Sequence, residues 1–185
     1  MKTPQNMFVV FLCVLLNASM MAQKYETQSY DLVQTLDGGE IRFYPPVMKI
    51  ITADENGFRQ LFGFISGNNT ANKKIAMTTP VYRTTEDGKK TMAFVLPKKF
   101  TTKNTPQPNA QAVDVIESPS GYFLAYTYSG YSSSTKEKEA LLVLQKIAAE
   151  NKLNIIGAPK WLFYNSPYQF WRRKNELLLE IEAPK

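Results

Sequence analysis

The chain contains no histidine, and its one cysteine, Cys13, lies in an apolar N-terminal segment. Without imidazole the usual general base, the commonest zinc ligand and the commonest haem ligand are all missing. Ser-His-Asp and Cys-His catalysis are excluded with them. No pair of Asp or Glu residues has a neighbour that would split their pKa values for acid–base work. Ser66 near Lys73-Lys74 lacks the context of a Ser-Lys hydrolase. No P-loop, no G-x-G-x-x-G and no metal-ligand spacing occurs. These residues suggest a binding protein, with no catalytic group and no metal site.

Two stretches carry chemistry suited to binding. In FRQLFGFIS, Phe58, Leu61, Phe62 and Ile65 recur at i, i+3, i+4 and i+7, one face of a short amphipathic helix. Phe62 and Phe64 are about 200° apart on such a helix, so one aromatic must face elsewhere. Arg59 sits beside them. Further along, Tyr168, Trp171 and Arg172 belong to a loop dense in rings and guanidinium groups. Rings next to cations suit a flat, apolar, anionic ligand, whose faces the rings cover and whose carboxylates Arg pairs. The same residue types also serve as plain core and loop packing.

The elements that must position these residues follow from turn signals. Residues 30–36 and 40–44 flank Asp37-Gly38-Gly39, a hairpin turn. Pro45-Pro46 breaks the ladder, and 47–53 continues extended. After the first helix, Gly67 fits a left-handed stop. A second hairpin joins 81–84 to 91–96 through Glu86-Asp87-Gly88. Residues 98–110 are polar, hold two prolines and form a connector. Then 112–117 alternates, Pro119-Ser120-Gly121 turns, and 122–128 is an aromatic-rich strand. Ser134 and Glu137 have capping-box spacing at the start of a helix running to about Asn151. Strands over 160–164 and 177–181 complete the chain. Strand, strand, helix, strand, strand thus appears twice, which predicts an α+β fold: a distorted antiparallel barrel or sheet with two packed helices, built from two ββαββ halves.

Residues 1–22 read as a secretory signal: Lys2, then an apolar run too short to span a bilayer, then Ala22 before polar Gln23. This predicts export to a periplasm or the exterior, with 23–185 as a single domain and no stable membrane span after cleavage. The mature chain would lack cysteine, so its core alone must hold it together. The net charge of +6 is spread over Lys73-Lys74, Lys89-Lys90, Lys98-Lys99 and Arg172-Arg173-Lys174. It forms no concentrated stripe for nucleic acid. Asn68-Asn69-Thr70 matches a glycosylation sequon and equally a turn-forming Asn pair.

The segments FRQLFGFISGNN, KIAMTTPV and MAFVLP, with YDLVQTLDGGEIRFYPPV upstream and RRKNELLLEI at the end, resemble the SOUL haem-binding protein family over almost all of residues 25–181. The resemblance implies a distorted β-barrel with two helices. It also implies non-covalent binding of haem or another tetrapyrrole against the first helix, with transport or buffering rather than catalysis. Phe58, Phe62 and Ile65 would then give apolar contact, Arg59 would meet a propionate, and Met77 would form a wall or a weak iron ligand. Tyr168, Trp171 and Arg172 are secondary candidates. The chain departs from histidine-ligated members, so iron ligation falls to Tyr, Met or Lys, or is absent. Burial of ~200 Å² at ~25 cal/mol per Å² gives roughly 5 kcal/mol before the cost of association. Binding should therefore be micromolar at best and reversible. The alternative is a protein-interaction or envelope module that keeps the fold without haem.

Overall fold

The structure is a computed structural model that describes residues 25–184 except 54, 55, 87, 167 and 170. The signal read over residues 1–22 lies outside them. The elements in chain order are β1 (Glu26–Thr27), β2 (Asp31–Leu36), β3 (Gly39–Tyr44), β4 (Val47–Thr52), α1 (Gly57–Ile65), β5 (Thr78–Thr79), β6 (Val81–Glu86) and β7 (Lys89–Val95). They continue as β8 (Asp114–Ser118), β9 (Gly121–Ser129), α2 (Ser134–Glu150), β10 (Lys160–Phe163) and β11 (Lys174–Ile181). Nine strands form one antiparallel sheet in the order β2-β3-β9-β11-β10-β6-β7-β4-β8, and β1 pairs with β5 in a short parallel bridge.

Strand alternation sorts the sheet into two faces. On one face Met48, Ile50, Phe94 and Leu96 meet Leu61, Phe64 and Ile65 of α1. On the same face Ile41, Leu124, Leu177 and Leu179 meet Ala140, Leu144 and Ile147 of α2. On the other face Tyr44, Tyr82, Phe123, Leu162 and Leu178 form a third cluster with no helical member. The sheet curls around that cluster and buries it, which makes a half-barrel with both helices outside. The α+β expectation holds.

The local signals act where expected. Gly38, at φ 79°, turns β2 into β3, and Gly88, at φ 75°, turns β6 into β7. Gly67, at φ 118°, follows α1, while Asn68 N–H donates to the Gly63 carbonyl at 3.0 Å. The connector is packed rather than loose: Phe100 enters the α1 core, Ala110 packs against it, and Thr70 N–H donates to the Gln107 carbonyl at 2.9 Å.

Three expectations are corrected. The turn at Pro119-Ser120 does not make a hairpin, because β8 pairs with β4 while β9 pairs with β3 and β11. The halves therefore exchange strands. The N-cap of α2 is Ser133, which accepts from Lys136 N–H, and not Ser134. Glu137 consequently makes no capping box; its carboxylate binds Arg83 and Ser132 instead. The exposed stripe of α1 is also shifted, as described below.

Asn69 is fully buried, and its amide is saturated. Its Nδ2 donates to the carbonyls of Phe64 at 2.9 Å and Lys73 at 2.8 Å. Its Oδ1 accepts from the N–H groups of Ala71 and Lys73. One side chain thus joins the end of α1 to the loop leading to β5.

Glu176 plays the matching part inside the curl. It is fully buried and accepts from Arg42 at 3.0 and 3.1 Å and from the hydroxyls of Thr127 and Tyr164. Lys174 pairs with it at 3.0 Å, and Arg42 also reaches Glu40. Burial alone would raise the Glu176 carboxyl, but hydrogen bonds from Arg42 and Tyr164 and the Arg42 charge hold it below its ordinary value.

Two outcomes follow. Asn69→Ala strands two carbonyls and two N–H groups and should cost about 2–3 kcal/mol in a denaturant titration. Glu176, with its folded pKa depressed, adds stability that is present above the unfolded pKa and is lost as pH falls through the folded one. Glu176→Gln should therefore cost about 3–5 kcal/mol at pH 7, where Arg42 loses its buried counter-charge and keeps only Glu40, and flatten the loss of stability on acidification below about pH 4.5. A melting curve that is as acid-sensitive in the variant as in the parent would contradict this.

Candidate functional site

Leu61, Phe64 and Ile65 form the buried stripe of α1, joined at its start by Gly57. A Cβ at Gly57 would come within 3.3 Å of Met92 and Thr52, so the bare residue lets the helix start close against β4 and β7. Phe64, only 1% exposed, takes the core position, and the stripe rotates away from Phe58 and Phe62. These two rings are 46% and 51% exposed and lie stacked, with centroids 5.9 Å apart and planes 11° apart. The edge of the pair is anchored, because Phe58 also meets buried Phe94 at 5.3 Å.

Arg59, Phe62, Gly63 and Ser66 follow at i, i+3, i+4 and i+7 and share the outer face of the helix. With Asn56, Gln60 and Asn68 they line a shallow concavity of about 570 Å³. Arg59 is exposed, and among the described residues no carboxylate lies within salt-bridge range of it. A Cβ at Gly63 would meet nothing within 4 Å, so the helix is bare where the concavity is open. An interior glycine costs a helix about 1 kcal/mol relative to Ala, and packing here gives no reason for it. In the sequence, the signal that marks Gly63 is a glycine within a helical period that neither a turn nor a cap explains.

The structure thus brings Phe58, Arg59 and Phe62 together and sets the other candidates apart. Ile65 is 5% exposed and belongs to the core. Met77 is half-buried, packs against that same core and does not line the concavity. Tyr168, Trp171 and Arg172 lie exposed in the loop before β11, Tyr168 at 86%. That loop is held by Arg173, whose guanidinium donates to the carbonyls of Ser166 and Gln169 and covers the Tyr131 ring at 4.6 Å.

The residues present fit part of a haem. The Phe62 ring, backed by Phe58, and a bare helix surface fit a porphyrin face, and Arg59 fits a propionate. For the iron they offer nothing: no Met, Tyr or Lys lines this concavity. Among the described residues no cluster of His, Cys, Asp or Glu could hold a metal. A second hollow, of about 700 Å³, lies on another side of the molecule, walled by Pro45, Pro46, Val47, Leu96, Pro97 and Phe100. It was not foreseen, because its walls come from segments far apart in sequence.

The curled sheet with two helices on its outer face defines a fold class shared with several solved structures. An uncharacterized conserved protein from Listeria innocua aligns with a TM-score of 0.60 at 12% identity, over 78% of this chain and 92% of that one. A structure described as a hydrolase from Listeria innocua gives 0.57 at 10%, over 86% and 94%. The EcmrR C-terminal domain gives 0.56 at 11%, over 79% and 98%. At such identities the likeness is one of fold alone.

Within that class, residues 25–180 match the family described as SOUL heme-binding protein, and the chain belongs to it. Heme-binding protein 2 of Mus musculus is 28% identical over 159 residues, covering 76% of each chain. Its Homo sapiens counterpart is 29% identical over 157 residues with the same coverage.

The two sides of α1 should separate on mutation. Phe64→Ala should cost about 3–5 kcal/mol, whereas Gly63→Ala should stabilise the protein by up to about 1 kcal/mol. Chemical denaturation of both variants checks this, and a destabilised Gly63→Ala would mean the helix surface is not open there.

Proposed function

We propose that this protein binds haem or a related tetrapyrrole non-covalently on the outer face of α1, reversibly and without histidine. The observation that carries the reading is the stacked, half-exposed Phe58–Phe62 pair beside Arg59 and bare Gly63. Membership of the family and the names of its relatives support the ligand class. In this reading Phe62 and Gly63 receive the porphyrin face, Phe58 backs the Phe62 ring, and Arg59 pairs with a propionate. Bound haem would bring redox-active iron. In this reading the chain's own residues bind and orient the ring, and the role is carrying or buffering. We further propose that residues 1–22 direct export and are removed. Among the described residues no helix is long and apolar enough to cross a membrane.

Because affinity comes from the macrocycle and propionates rather than from the iron, haemin and metal-free protoporphyrin IX should bind with dissociation constants within about threefold of each other, in the micromolar range. Arg59→Ala and Phe62→Ala should each weaken both by about tenfold, and Gly63→Ala should weaken them with no loss of fold. Absorbance and tryptophan-quenching titrations read this out. A haemin spectrum unchanged by micromolar protein would leave the fold as a protein-interaction module. Haemin bound far tighter than the free porphyrin would place an iron ligand elsewhere.

A further inference from the structure

Inside the curl, on the face without helices, a cavity of about 60 Å³ is lined by Tyr44, Lys49, Tyr82, Phe123, Lys160 and Glu180, among others. A single water needs about 10–15 Å³ of such space, so the cavity has room for a small polyatomic group. Its two cations are treated differently. Lys160 pairs with Glu180 at 2.9 Å. Lys49, on β4, has its Nζ 3.9 Å from the centre of the Tyr82 ring, and among the described residues no carboxylate lies within salt-bridge range of it, although Glu180 acts on it from further away.

A largely buried ammonium without a close ion pair is costly, and the β4 pattern did not require one. Val47 and Ile51, its neighbours on the same face, are apolar and pack into the curl. Burial first, and the charge of Lys160 second, lower the Lys49 pKa to about 8. Together the cavity and its lysines carry one positive charge more than Glu180 neutralises.

The cavity shares one wall residue, Gln28, with the 700 Å³ hollow behind Pro45-Pro46. Val47 lines that hollow two residues before Lys49, and Val95, opposite Lys49 in register, lines it too. Gln28 lines both spaces; its Oε1 accepts from the Tyr82 hydroxyl at 2.6 Å, which leaves its amide N–H groups as donors. The hollow's walls are otherwise mainly apolar, and Glu26 and Glu117 outnumber Lys98 among its charged residues. A second negative charge on a ligand would meet them.

We propose that Lys49 anchors the carboxylate of a small amphiphilic monocarboxylic acid whose apolar body occupies the Pro45-Pro46 hollow. Gln28 donates a second hydrogen bond to the same carboxylate. The site is separate from the outer face of α1 and does not rest on tetrapyrrole binding.

Octanoate is the probe, with n-octanol and acetate as controls, in calorimetric titrations and thermal melts of the purified protein. Octanoate should raise the melting temperature and bind at least tenfold more tightly than either control. Lys49→Met should lose at least tenfold in octanoate affinity, while Phe62→Ala should lose none. Octanoate affinity should be flat up to about pH 7 and fall above pH 8 as the free Lys49 deprotonates. The other titratable groups facing it are Lys160, Glu180, Tyr44 and Tyr82; burial holds Tyr44 up at about 12 and Tyr82 well above its usual value. Octanol binding as tightly as octanoate, undiminished binding to Lys49→Met, or affinity unchanged to pH 9.5 would each overturn the proposal. Should Lys49→Met fail to fold, NMR titration of the parent protein with ¹³Cε-labelled lysine decides. One lysine of depressed pKa must move upward on adding octanoate, and a titration without that movement overturns the site.

Discussion

The carboxylate of Glu176 is the point from which the curl is held. It lies at the centre of the concave face and gathers donors from β3, β9, the residue after β10, and its own strand, through Arg42, Thr127, Tyr164 and Lys174. Each strand could bury apolar residues in several relative positions. A buried carboxylate that must satisfy four partners leaves far fewer. Such a cluster adds little net stability over apolar packing, because desolvation offsets most of the attraction. What it contributes is a fixed curvature, and the small cavity lined by Tyr44, Tyr82 and Phe123 on that face depends on the curvature.

The first helix shows how one short element serves two surfaces. Nine residues place Leu61, Phe64 and Ile65 in the core and leave Phe58, Arg59, Phe62 and Gly63 outside. The inner set is fixed by packing against β4 and β7. The outer set is free of packing demands except through Phe58, which leans on Phe94. The outer set can therefore change without disturbing the core, provided the inner stripe and the Asn69 staple stay in place.

Much of this was legible from local chemistry. The glycines at 38, 67 and 88 marked the two hairpins and the end of α1 because each backbone turn needs positive φ there. The fold class followed from the order of elements. What could not be read was partnership at a distance. A Pro-Ser turn says that β8 ends, not that β4 rather than β9 will pair with it. The stripe of α1 was ambiguous between two rotations, and packing against β4 and β7 takes the one that buries Phe64. Arg42 and Glu176 are 134 residues apart, so neither announces the other. Lys49 looks like any strand lysine until the sheet curls over it. Of the candidate site, Phe58, Arg59 and Phe62 could be seen as a group, while Ile65 joined it because spacing cannot tell the inside of a helix from the outside, and Met77 because it lies in the KIAMTTPV segment.

The strand order has one more consequence. Under the exchange of β3 with β8, β4 with β9, β6 with β10 and β7 with β11, the sequence β3-β9-β11-β10-β6-β7-β4-β8 reverses onto itself. Three pairings, β3 with β9, β6 with β10 and β4 with β8, join residues before the connector to residues after it. The polypeptide link through exposed Lys103 is thus not what unites the halves. A protease nick there would yield two fragments clasped by three hydrogen-bonded seams, each lacking edge partners that the other supplies. The molecule is in that sense an intramolecular heterodimer, whose tether sets local concentration more than architecture.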